Sequence, residues 1–469
     1  MGASFFICLA LVLLIGLSSA RQAKASAADY FVASRSVPPW LVGLSAVATN
    51  NSGYMFIGLI GYTYTAGIQS VWLMLGWIVG DLIASKTAHE RMRDEADRIH
   101  ANGIIGLLSQ WGGTNNRSWQ VLAALFSIVF LATYAAAQIA AGGKALEGML
   151  DIPMAIGMSM VAVVVIAYSI AGGMRASIWT DAAQSLLMIV SIVVLLVAAV
   201  AHLGGMQAVF QQAGAIDGFM NPTPTGLDIP GYAGAMAFVV GWMFAGAAAL
   251  GQPHIVSRYL ALQNTRQMNQ VRCWYYSYYL LFYCFATAVG LLSRLYFGES
   301  TGFDPEMALP NMARDLLPPW LAGLMLAGIF AATMSTADSL VLSCSSAITQ
   351  DLPRKPSENR WFLKAATAMT TVFALGIGLW SEQSVFSLVV WAWGTLGAVF
   401  VPILIWQVLG AKLNSLAMLC MSSTGVMATV AWKFYGFPST VYEGAVGMFS
   451  AFVLGAIFTI SSIRSRFHP

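Results

Sequence analysis

The stretch LVGLSAVATNNSGYMFIGLIGY, residues 41–62, decides the fold. Apolar residues flank a centre of five consecutive polar or small residues, Thr49 to Gly53, which includes two carboxamides. Asn and Ser compete for backbone hydrogen bonds and Gly relaxes the backbone, so we predict an interrupted membrane helix that faces protein or water rather than lipid. Helix packing alone does not require two carboxamides, so the pattern favours a functional interruption, which we call the first break.

A second segment with the same character, YAGAMAFVVGWMFAGAAALGQPH, covers residues 232–254 and contains Gly241, Gly246 and the run Gly251-Gln252-Pro253. A Gly-rich packing face between helices explains its small residues equally well. The two segments are five predicted spans apart, so they cross a membrane in opposite directions. Interrupted helices at corresponding places in two halves are typical of inverted-repeat secondary transporters, which bind solute and ions at the breaks.

The composition is that of a polytopic membrane protein. Hydrophobic residues make up 58% of the 469 residues and charged residues only 9%, whereas a soluble chain is about 25% charged. The apolar runs are long enough to cross a hydrocarbon layer of about 30 Å as helix. We therefore predict an all-α membrane protein of about thirteen transmembrane helices. The predicted spans are 3–20, 39–62, 67–86, 118–142, 153–172, 178–201, 232–252, 274–297, 318–343, 365–381, 384–408, 413–432 and 441–463.

The basic residues predict the orientation of these spans. The 23 Lys and Arg residues divide 19 to 4 between the two sides, and short loops rich in Lys and Arg stay in the cytoplasm. We expect a multi-pass membrane protein with its N-terminus outside and its C-terminus inside. A secretory signal peptide is the alternative for the first span, but Arg21 and Lys24 follow the apolar run, and no basic residue precedes it.

Asp81, Asp181 and Asp338 lie within predicted spans, where each carboxylate costs about 2.5 to 3.5 kcal/mol on insertion scales. Asp81 is expected at the interface, near the inner end of its span. Asp181 lies near the start of the span 178–201, and Asp338 belongs to a cluster in the span 318–343. The cluster also contains Ala332, Ser335, Thr336 and Ser339. Its hydroxyls and carboxylate suit an alkali cation, although hydroxyls in membrane helices also bond the carbonyl one turn back.

Four stretches together resemble the sodium:solute symporter family, and most closely its bacterial sodium/proline branch. They are residues 30–61, GGMRASIWTDAAQSLLM at 172–188, GQPH at 251–254 and AATMSTADSL at 331–340. The resemblance runs from about residue 29 to 408. It implies a LeuT-type inverted repeat of ten helices with one extra N-terminal and two extra C-terminal helices. In a single transporter domain over 1–469, residues 1–38 hold the extra N-terminal helix, 39–201 and 232–408 the two repeats, and 409–469 the last two helices.

The resemblance also implies an ion site. Carried over by position, sodium is bound by the carbonyls of Ala48, Asn51 and Ala332 and by the hydroxyls of Ser335 and Thr336. A second cation or a proton is implied near Asp181, Ser339 and Asp338. One departure concerns Asn50, which replaces an aspartate of the proline branch and so removes a negative charge from the first break.

The substrate pocket is expected between the two breaks. Its candidate residues are Asn50, Ser52, Tyr54, Tyr134, Trp242, Phe244 and Trp393, with Trp391 as a further aromatic. Aromatic side chains supply the apolar walls of such a pocket. Ala245 and Ala249 stand where the proline branch has aromatics, so the pocket is expected to be roomier than a proline site.

These observations predict sodium-coupled symport of a small organic solute, such as proline or a related carboxylate, across a lipid bilayer. Proton coupling is the alternative. A sensor linked to a histidine kinase is a second alternative if the chain is part of a longer protein. The sequence has no enzyme motif and no nucleotide-binding loop, so neither an enzymatic activity nor a cofactor other than sodium is expected. Its net charge of +3, without a dense basic run, argues against nucleic acid.

Overall fold

The computed structural model describes residues 1–20, 27–299, 302–437 and 439–467, and these form a bundle of helices. Within these ranges the sole strand-like pairing is an isolated bridge between Val37 and Leu262. The first nine helices are α1 Gly2–Ala20, α2 Ala27–Val32, α3 Pro39–Asn50, α4 Ile60–Ala66, α5 Ser70–Ile99, α6 Ile104–Ser109, α7 Arg117–Leu150, α8 Met154–His202 and α9 Met206–Ala215. The other nine are α10 Gly231–Ala247, α11 Pro253–Leu260, α12 Met268–Phe297, α13 Ala308–Leu316, α14 Pro319–Ser346, α15 Arg360–Trp380, α16 Val385–Val408, α17 Ser415–Tyr435 and α18 Glu443–Phe467. Arg21 and Lys24 lie outside the described residues.

Ten helical segments of the described chain are long and apolar enough to cross a membrane. Two shorter apolar segments, Gly2–Gly16 and Met154–Ala167, cover the first and fifth predicted spans. The fifth and sixth predicted spans both fall within α8, where Gly173 departs from helical geometry with φ 58°. A side chain at Gly173 would also come within 2.9 Å of the Tyr30 ring, so both its positive φ and its close packing require glycine.

The first break is present where the sequence predicts it. Helix α3 ends at Asn50, and the Asn51 N–H donates to the Val47 carbonyl at 2.8 Å before the chain leaves the helix. A wider turn of helix, Tyr54–Leu59, follows and leads into α4. At Gly53 a Cβ would lie 2.5 Å from the Thr333 side chain, so this position is also tightly packed.

The second break lies at the end of its segment, around Gln252. The chain stays helical through Gly241 and Gly246 and tightens into a 3₁₀ turn over Ala248–Gly251, and then Gln252 takes an extended conformation. Helix α11 starts at Pro253, whose missing N–H suits the first position of a helix. The predicted span 232–252 matches the apolar segment Gly231–Gly251, and α11 extends the helical chain beyond it. Gly246 packs against the backbone of Trp77, so the packing interpretation is correct for that glycine.

The polar segment 86–117 is not mainly a loop. Helix α5 runs to Ile99, well beyond the predicted end at residue 86, and α6 follows. Asp81 is consequently inside a long helix and buried in the bundle. At the centre of the bundle, α14 and α16 are the most deeply buried of the ten long segments. They pack against the segments that contain the two breaks and so position the site.

Candidate ion and solute site

Two glutamine side chains form hydrogen bonds with the backbone at the breaks. Gln138 on α7 accepts a hydrogen bond from the Gly53 N–H at 2.8 Å. Gln252 donates to the carbonyls of Ala248 and Trp393, both at 3.0 Å. Each bond satisfies a backbone group that an interrupted helix leaves without its usual partner. Sequence reasoning missed Gln138, whose only signal is an amide in the apolar run of α7.

One of the predicted sodium ligands, Thr336, contacts the first break directly. Thr336 on α14 donates its hydroxyl hydrogen to the Thr49 carbonyl at 2.9 Å, directly next to Ala48. The structure thus joins the end of α3 to α14, the two elements from which the ligand set was drawn. All five predicted ligand residues are fully buried, namely Ala48, Asn51, Ala332, Ser335 and Thr336. The Asn51 side chain has no hydrogen-bond partner at either polar atom, although it is buried.

Asp181 lies at the centre of a hydrogen-bonded cluster behind these ligands. Its Oδ1 accepts from the Ser335 hydroxyl at 2.7 Å, and its Oδ2 accepts from Ser45 at 2.6 Å and from Thr49 at 3.4 Å. Arg258 on α11 forms an ion pair with the same carboxylate at 3.2 Å, and both side chains are 0% exposed. Asp181 is therefore neutralised by a fixed positive charge of the protein.

Arg258 was missed as a site residue, because its position between the predicted spans 232–252 and 274–297 is that of a cytoplasmic loop residue. Its position in α11, six residues after Gln252, brings it inside the bundle. Besides Asp181, its guanidinium donates to the hydroxyls of Ser177 and Ser339. The signal was present in the sequence, since Pro253 can begin a helix as well as end a span.

The remaining members of the α14 cluster behave differently. Ser339 donates to the Ser335 carbonyl at 2.5 Å, so the back-bonding alternative holds for this hydroxyl. Asp338 is buried one residue earlier. No hydrogen bond within the described part of the chain joins Asp338 to Asp181 or to the predicted sodium ligands. The structure thus brings Ser335 to Asp181 directly and Ser339 to it through Arg258, while Asp338 lies close enough to interact with Ser177 at the edge of this cluster.

Asn50 faces away from the Asp181 cluster. Its amide nitrogen donates to the Tyr275 hydroxyl at 2.6 Å. Tyr275, on α12, in turn donates to Asp81 Oδ2 at 2.8 Å. The carboxamide that replaces a carboxylate in the first break is therefore connected, through one tyrosine, to a buried carboxylate on α5.

A group of polar and aromatic side chains lies between the two breaks. Tyr134 donates to the Ser52 hydroxyl at 3.2 Å, and its ring meets those of His254 and Trp393 edge-on, with centroids 5.5 and 6.3 Å away. His254 is fully buried, and neither ring nitrogen has a hydrogen-bond partner. Trp393 donates its indole N–H to the Ala245 carbonyl at 2.7 Å, which places this side chain beside one of the two alanines.

An aromatic stack closes this group toward the end of the bundle that was predicted to face outward. Trp242 stacks between Trp77 and Tyr442, at centroid distances of 5.7 and 5.3 Å. Tyr54 packs against Trp77 and Phe386. A cavity of about 490 Å³ lies above the stack and includes Lys433 and Glu443 in its lining. Sequence reasoning missed Trp77, Phe386 and Tyr442, which no local motif distinguishes from packing residues.

Two predicted pocket aromatics lie elsewhere. Phe244 lines an apolar groove between α5, α10, α16 and α18, outside the aromatic stack. Trp391 packs edge-on against Phe130 and lies under the Lys433 ammonium, 4.8 Å from the ring centroid. Residues two apart on a helix point in different directions, which separates Phe244 from Trp242 and Trp391 from Trp393.

Comparison with known proteins agrees with this architecture. Residues 30–425 match the model of the sodium:solute symporter family. The chain belongs to that family. The sodium/proline symporter of Escherichia coli K12 is 26% identical over 464 residues, covering 95% of this chain and 89% of that protein. The osmoregulated proline transporter of Bacillus subtilis 168 is 25% identical, covering 93% and 90%.

Solved structures show the same fold. A Na+-coupled sialic acid symporter, in a substrate-bound outward-open state, aligns with a TM-score of 0.81 at 21% identity, covering 98% of this chain and 97% of that one. MhsT in complex with L-phenylalanine aligns with a TM-score of 0.59 at 14% identity, covering 89% and 98%. The predicted LeuT-type fold is therefore confirmed at the level of its helical architecture.

Family membership confirms the predicted class of function. The chain is a membrane transporter that couples the movement of a small solute to sodium, and it is not an enzyme. The relatives named above lend no support to the link with a histidine kinase.

Proposed function

We propose that this protein imports a small amino acid, proline or a close relative, with sodium across the bacterial cytoplasmic membrane. The names of its relatives support the solute class. In this proposal the chain crosses the membrane thirteen times as a single domain, with the N-terminus outside and the C-terminus in the cytoplasm. The repeats span residues 39–201 and 232–408 and are flanked by one helix before them and two after them.

The observation that carries the proposal is the hydrogen bond from Thr336 to the Thr49 carbonyl at the first break. It places α14 hydroxyls beside carbonyls that an interrupted helix leaves without partners, and oxygen ligands of this kind suit a hard monovalent cation. We assign sodium to Ala48, Asn51, Ala332, Ser335 and Thr336. A second cation at Asp181, Asp338 and Ser339 is not part of the proposal, because Arg258 already neutralises Asp181.

We assign the solute to the space between the breaks, beside Ser52, Tyr134, His254 and Trp393. The unpartnered ring nitrogens of His254 supply the hydrogen-bonding group that a carboxylate requires. The Trp393 indole donates to the Ala245 carbonyl, so this ring lies next to one of the two positions where the proline branch has aromatics.

Uptake of labelled proline and related amino acids into proteoliposomes tests the proposal, with sodium and pH gradients imposed separately. We expect accumulation that follows the sodium gradient and persists when the pH is equal on both sides. Accumulation that ignores sodium and follows the pH gradient contradicts sodium coupling and supports the proton alternative.

A further inference from the structure

Asp81 is a buried carboxylate with no positively charged partner. It lies within a predicted membrane-spanning segment and is 1% exposed. Its Oδ2 accepts the hydrogen bond from Tyr275, whereas its Oδ1 is buried with no partner. No Lys, Arg or His nitrogen of the described chain lies within ion-pair distance of it. A buried carboxylate in this state is unfavourable unless a cation or a proton compensates it.

An arginine on the same helix as Tyr275 does not supply that compensation. Arg272 on α12 donates to the side chain and carbonyl of Ser85, one turn beyond Asp81 on α5. It also forms an ion pair with Glu90 at 2.8 Å. Its guanidinium is thus held one turn toward the predicted cytoplasmic end of α5, and Asp81 is left without a positively charged partner.

Oxygen atoms suited to a cation gather around Asp81. The Tyr276 hydroxyl is buried without a hydrogen-bond partner and lies close enough to interact with Asp81 and Ser85. Tyr275 connects Asp81 to Asn50, so the carboxylate is two hydrogen bonds away from the first break. Carboxylate and hydroxyl oxygens together form a hard donor set, which alkali cations prefer over softer ligands.

We propose that Asp81, Tyr275 and Tyr276 form a second sodium site, between α5 and α12 and connected to the first break through Asn50. The site lies apart from the Asp181 cluster and supplies the negative charge that the pair of Asp181 and Arg258 lacks. The inference rests on the proposed sodium coupling. A sodium ion at Asp81 restores local neutrality. The hydrogen bond between Asn50 and Tyr275 couples the binding of this ion to the first break.

Binding of radioactive sodium to the purified full-length protein in detergent tests this site without requiring a known solute. We expect Asp81→Asn to raise the half-saturating sodium concentration roughly thirtyfold or more, the loss typical of truncating one partner of a buried charge pair. Asp351→Asn is the matched control, because Asp351 is also buried but is bonded to Gln120 at 3.1 Å and lies beyond the end of α14. The control is expected to bind sodium like the wild type.

If Asp81→Asn does not yield folded protein, Tyr275→Phe takes its place, since it removes a hydroxyl ligand and keeps the charge. An unchanged sodium titration in Asp81→Asn, or in Tyr275→Phe where that variant is used, overturns the site. Sodium-driven uptake by the wild type together with such an unchanged titration overturns this site and leaves the proposed function standing. Absence of sodium binding and of sodium-driven uptake in the wild type overturns both.

Discussion

Two buried aspartates, Asp181 and Asp81, differ in what compensates their charge. Asp181 accepts hydrogen bonds from three hydroxyls and forms an ion pair with Arg258. Asp81 accepts one hydrogen bond, from Tyr275, and has an unpartnered oxygen. Depth in the membrane therefore does not by itself identify a cation-binding carboxylate. Whether a buried carboxylate can bind a cation depends on the charges around it, and those charges come from distant parts of the chain.

The largest expected effect comes from breaking the compensated pair. Arg258→Gln leaves Asp181 buried without its positive partner, so we expect the free energy of unfolding to fall by about 3 to 5 kcal/mol. Titration with SDS in mixed micelles measures the loss. The double variant Asp181→Asn/Arg258→Gln is expected to recover most of it, because no lone charge then remains buried. A single variant as stable as the wild type would show that Asp181 is not charge-compensated by Arg258.

The second-largest effect is expected at the proposed solute site. His254→Leu removes the unpartnered ring nitrogens between the breaks, and a hydrogen bond to a charged group contributes about 1.5 to 3 kcal/mol. We expect the half-saturating solute concentration to rise about tenfold or more at saturating sodium, with little change in sodium dependence. His202→Leu, near the end of α8, is the control. If His254→Leu changed the sodium dependence of uptake and left the solute affinity unchanged, this histidine would belong to the ion site instead.

A smaller effect is expected from the hydroxyls of α14. Thr336→Ala removes a ligand oxygen and the bond to Thr49, and we expect the half-saturating sodium concentration for uptake to rise about fivefold to tenfold, in the range of a lost hydrogen bond. Ser335→Ala is expected to act in the same direction. Thr371→Ala on α15, whose hydroxyl bonds the carbonyl one turn back, is the control. Wild-type sodium dependence in both α14 variants would place the ion elsewhere.

The smallest effect is expected at the aromatic residues of α10. Trp242→Ala removes a ring stacked between two others, and each such pair contributes about 0.5 to 1.5 kcal/mol beyond its buried area. We expect slower solute accumulation in this variant. Phe244→Ala, in the groove outside the stack, is expected to transport like the wild type. Equal losses in initial uptake rate for both variants would place the pocket on a different face of α10.

Much of the architecture could be predicted from the sequence because it follows from local properties. Apolar run lengths define most of the spans, and the residues Thr49 to Gly53 predict the first break. The extent of α5 and the presence of α11 could not be predicted in the same way. Both are polar segments that become helical and buried through packing against the rest of the bundle, a tertiary effect that local patterns do not contain.

The site could be predicted only where residue type and position coincide in one motif. Ser335 and Thr336 are predicted as ligands because hydroxyls and a carboxylate lie together on α14. Arg258 and Asp81 were missed because their roles depend on partners far along the chain, Asp181 for the first and Tyr275 for the second. Long-range pairing of this kind leaves no periodic signal in the sequence.

A side-by-side sodium titration of the two aspartates tests the central claim most directly. The measurement is radioactive sodium binding by Asp81→Asn and by the double variant Asp181→Asn/Arg258→Gln, each compared with the wild type. We predict a large loss of sodium affinity in Asp81→Asn and a smaller change in the double variant, which removes a pair without net charge. The reverse order, with sodium affinity lost in the double variant and kept in Asp81→Asn, would contradict the account.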